Sequence, residues 1–355
     1  MALPVTISGV VFPTRNYFCG PFKSGSAYYA VFGDSTTAGK LNVVKATDPT
    51  ASFATQDAAN APAAGTAILS LWAFQDGTDL KIVTATTTGP EYRYHVFHMA
   101  TDLWDGTIKN ETIEDVKDQP VYFSCAITVR SDDDVVVAYG GDRDAVMAAD
   151  YDRVDYAVRV TSWTSGVNVA GNGLEQHFDR ATSVLGASDK SHFVYLNSTL
   201  SDTLHRSLSS GDVLGTEHTV DATNGTVPGV PIYYDAAGVE RIIVVYATRT
   251  VKIEDDGTPD TPDVAADNAV RLVNNVYLSL LAAENGTAKK AHLLYADSAT
   301  GDLFYDVNTN DAGWGTDTEE LDAVTINRIS CNVYDRSGTK LAYVYDDGGT
   351  VKYNE

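Results

Sequence analysis

Ile242-Ile243-Val244-Val245-Tyr246 is a run of four β-branched residues closed by a tyrosine, and the turn pair Ala237-Gly238 precedes it. A run this short, apolar at every position, predicts a strand buried on both faces. The same unit returns on either side of it. It reads Tyr28-Tyr29-Ala30-Val31-Phe32, Leu80-Lys81-Ile82-Val83-Thr84, Val135-Val136-Val137-Ala138-Tyr139 and His192-Phe193-Val194-Tyr195 before it, and His292-Leu293-Leu294-Tyr295 and Leu341-Ala342-Tyr343-Val344-Tyr345 after it. The closing residues fall at 32, 84, 139, 195, 246, 295 and 345, spaced 49 to 56 apart.

Each copy is punctuated alike. Ser24-Gly25, Asp76-Gly77, Asp132-Asp133-Asp134, Ser188-Asp189, Asn285-Gly286 and Ser337-Gly338 precede the other copies, and these residues suit hairpin turns. Another apolar segment lies before each turn, a third strand follows the marked one, and a more polar fourth segment opens with Phe53, Trp104, Trp163 or Trp314. Four short antiparallel strands per repeat of this length predict an all-β chain, a seven-bladed β-propeller of four-stranded blades forming one domain over residues 1–355. The aromatics at the head of the fourth segments are expected to pack between blades. After Tyr345 there is room for a third strand, Thr350 to Asn354, but not a fourth. Pro4 to Val10 is therefore expected to supply the outer strand of the last blade, where a proline is tolerated at a free edge.

Composition limits the function. Of 355 residues, 25 are Lys or Arg and 48 Asp or Glu, a net charge of −23, which argues against a nucleic-acid partner. The acids divide into 37 Asp and 11 Glu, a bias toward turns over helices. No signal peptide and no apolar run of about 18 residues is found, so neither secretion nor membrane insertion is expected. Cys19, Cys125 and Cys331 are odd in number and far apart. They read as buried free thiols on inner strands, in a chain made in host cytoplasm.

Asp311-Ala312-Gly313-Trp314 resembles the Asp-box turn of sialidase-like propellers, Ser-x-Asp-x-Gly-x-Thr-Trp, and Thr101-Asp102-Leu103-Trp104 and Thr47-Asp48-Pro49 are fainter versions. In overall style the chain also resembles propeller proteins encoded by tailed bacteriophages. The first resemblance implies arginines that hold a carboxylate at the axial face. Arg15, Arg180, Arg249 and Arg328 are the candidates, although the family's Phe/Tyr-Arg-Ile-Pro signature is absent around Arg15 and Glu175 and Glu240 sit in no recognisable pattern.

Other chemistry is sparse. The acidic run Glu254-Asp255-Asp256-Gly257 lacks the ligand order of an EF-hand. His95 and His98, three apart on a predicted strand, point to opposite faces and form no metal pair. No metal, cofactor or catalytic residue is expected. The expected function is a non-catalytic structural or interaction propeller in a phage virion, an appendage or host-attachment protein. Its partners would be virion proteins or a host surface glycan or receptor. The insertion Asp142 to Arg153, with Arg143, Met147 and Tyr151, is the expected partner loop. The alternative is a sialidase-like protein that binds or hydrolyses glycans.

Overall fold

The computed structural model describes residues 4–7, 18–34, 39–48, 50–63, 67–86, 91–115, 125–141, 153–164, 167–169, 176–177, 183–185, 187–197, 202–221, 232–236, 239–246, 249–254, 279–285, 289–296, 301–309, 314–316, 318–322, 325–330, 336–337 and 340–355. Among them the secondary structure is antiparallel strand, apart from one short 3-10 turn at Ala187–Asp189.

The first sheet runs Phe18–Ser24, Ala27–Asp34, Lys40–Ala46, Ala54–Gln56. The second has Ile68–Asp76, Asp79–Thr86 and Glu91–His98, with Leu103–Trp104 and Glu111–Asp115 both on its third strand. The third is Cys125–Val129, Val135–Gly141, Arg153–Arg159, Val167–Asn168. In the fourth, Gln176–His177 and Ser183–Leu185 share the neighbour Ser191–Asn197, followed by Asp202–Leu208 and His218–Asp221. The fifth is Ile232–Ala236, Val239–Tyr246, Arg249–Glu254, and the sixth Ser279–Asn285, Lys289–Ala296, Leu303–Thr309, Thr318–Leu321. The seventh is Ile326–Ser330, Tyr343–Asp347, Thr350–Asn354 and Val5–Thr6. The first strands touch in a closed cycle, each meeting the next and Ile326–Ser330 meeting Phe18–Ser24. This ring of radially arranged antiparallel sheets is a β-propeller.

The continuous apolar runs have a direct cause. Successive side chains of a strand point to opposite faces, and here both faces are covered. Tyr29 and Val31 enter the cluster between the first and second sheets, while Tyr28, Ala30 and Phe32 enter the one between the seventh and first. The core is thus a set of seams between sheets. Gly25, Gly77, Asp133, Ser188 and Asp189 all take positive φ, as the turn residues require.

The N-terminal strand closes the last sheet. Val5 lies opposite Tyr353 and Thr6 opposite Lys352, and the Ile7 N–H donates to the Val351 carbonyl at 2.9 Å. Val5 and Ile7 are buried in the seam that holds Tyr353 and Phe53. Residues 8–10 of the expected segment lie outside the described residues.

Among the described residues, the second and fourth sheets each carry a split strand, and a short hairpin, Arg336–Ser337 with Lys340–Leu341, precedes Tyr343–Asp347 of the seventh. In the second sheet the outer strand is split, because the Asp105 carboxylate turns the chain by accepting the N–H groups of Thr107 and Ile108 at 2.7 and 2.6 Å. In the fourth, the inner strand is split into two segments. Three of the expected inter-blade aromatics pack as expected. Trp104 meets Phe97 at 5.2 Å within the first seam, Trp163 meets Tyr94 of the preceding sheet at 5.5 Å, and Phe53 meets Tyr353 at 5.6 Å. Cys19 and Cys125 are free, buried and on first strands, and Cys331 lies outside the described residues.

Candidate functional site

Four side chains meet in the outer part of the seam between the second and third sheets, the candidate cleft. Tyr94, on Glu91–His98, is its floor and is 2% exposed. Arg159 ends the strand Arg153–Arg159 and sets its guanidinium over the Tyr94 ring, 5.6 Å from the centroid. Its Nε–H is shared between both oxygens of Glu111, at 3.2 and 3.1 Å, where Glu111 begins an outer strand of the second sheet. Trp163, bridged to Arg159 across the following turn, stands edge-on to Tyr94 at 78°.

The cleft's polar capacity is mostly unspent. A guanidinium carries five N–H donors. The four on the Arg159 Nη atoms have no acceptor among the described residues, and neither does the Trp163 Nε1–H. Burial pushes the Tyr94 phenol above its ordinary pKa, partly offset by the positive Arg159, so it stays neutral and can donate. The Arg159 donors, the Glu111 carboxylate and the partly buried Trp163 ring therefore stand together at the edge of the seam. What this arrangement offers chemically is the binding of hydroxyl-bearing rings.

Of the arginines expected at the axial face, two lie on described strands. Arg249 starts the strand Arg249–Glu254 beside the end of Val239–Tyr246, and Arg328 lies in the first strand of the seventh sheet opposite Asp346. Arg15, Arg180, Glu175 and the proposed loop residues Arg143, Met147 and Tyr151 lie outside the described residues, as do residues 255–278 of the acidic run. His95 and His98 do face opposite ways. His95 is buried against the Thr84 hydroxyl at 2.9 Å, and His98 bridges Asp79 at 2.8 Å and Asp105 at 3.1 Å. Among the described residues no group of three or more His, Cys, Asp or Glu could hold a metal ion.

Tyr94, Glu111 and Arg159 were not singled out by the sequence, and Trp163 reads there chiefly as packing, with stacking on a sugar the lesser alternative. The one local signal is Arg159 four residues before Trp163. Glu111 is 48 residues from Arg159, about one repeat, so only the stacking of neighbouring sheets joins them.

No family model matches the chain, and no curated protein matches it in sequence. Solved structures match it in fold. The BP39L lectin from Burkholderia pseudomallei superposes with a TM-score of 0.60 at 10% identity, over 96% of this chain and 97% of that one. The Penicillium chrysogenum alpha-L-arabinanase complexed with arabinobiose gives 0.57 at 12%, over 88% and 100%. The Fusarium graminearum alpha-L-arabinofuranosidase Arb93A gives 0.55 at 10%, over 87% and 98%. These matches correct the expectation that the chain is not an enzyme: the fold carries glycoside hydrolases as well as a lectin, so rigidity and architecture are no ground for excluding catalysis. At such identities the likeness is one of fold, and the fold of this chain is the β-propeller.

Proposed function

We propose that this chain is a carbohydrate-recognising seven-bladed propeller whose ligand site is the cleft of Tyr94, Glu111, Arg159 and Trp163. The observation that carries the reading is Arg159, held by one N–H on Glu111 with its four others unspent beside a half-buried indole. Sugar rings present hydroxyls around an apolar C–H face. A carboxylate and a guanidinium match the hydroxyls, and the half-buried tryptophan ring matches the face. An arginine kept only for stability would gain more by spending its remaining donors on protein acceptors.

The fold neighbours support the same direction, since they include a lectin and two arabinose-releasing or arabinan-acting enzymes. The phage-particle role is set aside, because the observations favour glycan recognition over it. A glycan array tests the reading. Wild-type protein is expected to retain a defined set of glycans, and Arg159→Ala and Glu111→Gln are expected to lower that retention at least about tenfold while leaving the melt nearly unchanged. Retention unaffected by either variant would remove the cleft from the proposal.

A further inference from the structure

Trp72 stands apart from the other tryptophans. It lies on Ile68–Asp76, the first strand of its sheet, whereas Trp104 and Trp163 follow third strands. It packs at once against the apolar clusters of three successive seams, from the first and second sheets to the third and fourth. One side chain reaches three seams only where they converge, at the hub of the ring. There it is half-buried, and its indole N–H has no acceptor among the described residues.

Polar groups on the first strands of the first, second, third and seventh sheets make hydrogen bonds within the protein. The Gly20 N–H donates to Ser330 Oγ at 3.2 Å, the Cys125 thiol to Ser70 Oγ at 3.3 Å, and the Cys19 thiol to the Ala73 carbonyl at 3.7 Å. The Trp72 indole N–H has no such partner among the described residues. A residue kept only to fill the hub gains nothing from a polar edge left half in water, and an aliphatic side chain would serve as well. A flat, half-buried ring with a donor that has no acceptor among the described residues suits a ligand that is apolar on one side and hydroxylated at its rim.

We infer that Trp72 is the platform of a second carbohydrate site, at the hub. This rests on the glycan reading above and extends it to a place that the cleft does not reach. The cleft is built on third and fourth strands and the hub on the first, so about two strand spacings, roughly 10 Å, separate them. One sugar ring cannot occupy both. The chain therefore binds two rings independently.

The test is a glycan array followed by calorimetric titration with the glycan retained most strongly, on wild type, Trp72→Leu, Trp72→Phe and Arg159→Ala. The expected result is two equivalents per chain, one lost in Trp72→Leu and the other in Arg159→Ala, with hub affinity reduced about tenfold or less in Trp72→Phe. Unchanged stoichiometry and affinity in Trp72→Leu would overturn the hub site and leave the cleft standing. Loss in Trp72→Leu with Arg159→Ala inert would support the hub and overturn the cleft. A wild type that retains no glycan would overturn both. If Trp72→Leu does not fold, Trp72→Phe in the Arg159→Ala background decides: it keeps a ring against all three clusters, and a sugar-induced change in tryptophan fluorescence that survives there would overturn the hub site.

Discussion

The first seam, between the first and second sheets, and the second seam, between the second and third, are built from the same kinds of parts. Each has a tyrosine beneath a cation, a carboxylate paired to that cation, and a tryptophan from the later sheet. In the first seam Lys45 lies 5.4 Å from the Tyr29 ring centroid and reaches Asp102 at 2.6 Å. The Tyr29 hydroxyl donates to Asp102 and to the Met99 carbonyl, both at 2.9 Å. Trp104 is sealed at 5% exposure. In the second seam arginine replaces lysine, the carboxylate takes one N–H of five, and the tryptophan is half-buried. The same kit makes a latch in the first seam, where lysine and tyrosine both bond one carboxylate, and in the proposed cleft of the second it leaves the arginine's Nη donors unspent among the described residues.

A third seam sets the scale. Deleting residues 1–7 removes Val5 and Ile7 from the seam between the seventh and first sheets, together with their ladder bonds. Two buried aliphatic side chains at about 2 kcal/mol each and a ladder bond or two at about 1 kcal/mol each give a loss of about 5 kcal/mol in denaturant unfolding. A loss below about 1 kcal/mol would mean that the ring closes without this strand.

Acid is the next largest lever, and it acts on the first seam. His95 shares the strand face of Phe97 in that seam, and burial lowers its pKa to about 4. The unfolded chain, with a histidine near 6.5, therefore binds more protons between pH 6.5 and 4, and stability falls as pH falls through that window, by about 3 kcal/mol in all. His98 has the opposite sign. Its hydrogen bond to Asp79, helped by Asp105, raises its pKa, so its contribution is present below about 6.5 and lost as pH rises through the raised value. Imidazole titration by NMR checks both shifts. Unfolding of His95→Gln at pH 7 and pH 4 checks the first, and an unflattened profile would place the acid loss elsewhere.

Single carboxylate changes then separate latch from cleft. Asp102→Ala strands the Lys45 ammonium and one bond of the Tyr29 hydroxyl, a loss of about 2 kcal/mol. Glu111→Ala, which leaves a partly exposed Arg159 able to reach water, should cost less than about 1 kcal/mol. Equal losses would erase the distinction between the seams. The smallest stability effect belongs to Arg159→Lys, within about 0.5 kcal/mol of wild type, and yet glycan retention should fall because an ammonium cannot offer the guanidinium's fork.

Sheet order and closure were legible in the sequence because marked strands such as Tyr28 to Phe32 and Val135 to Tyr139 are buried on both faces, which leaves continuous apolar runs at a regular period. Thr350 to Asn354 and the pairing of Val5 were legible from the same count of strands. The splits were not, since they depend on one side chain, Asp105, capping its own turn, and on an interrupted inner strand between His177 and Ser183. The cleft was hidden for another reason. Arg159 and Glu111 belong to different repeats, and nothing in either repeat alone names the other. Arginines were sought at strand starts and in a turn by resemblance, whereas Arg159 stands at a strand end.

The pairing of Thr6 with Lys352 joins residues 346 positions apart. At roughly 5 to 20 residues made per second, a ribosome takes roughly 20 to 70 s to supply the partner of a strand it has already released. Throughout that interval the earliest segment is an idle β-edge, and the nascent circle is a horseshoe with two uncovered flanks. Newly made chains are thus at greatest risk of joining one another, and protection by a chaperone matters most, in the interval before the last few dozen residues emerge.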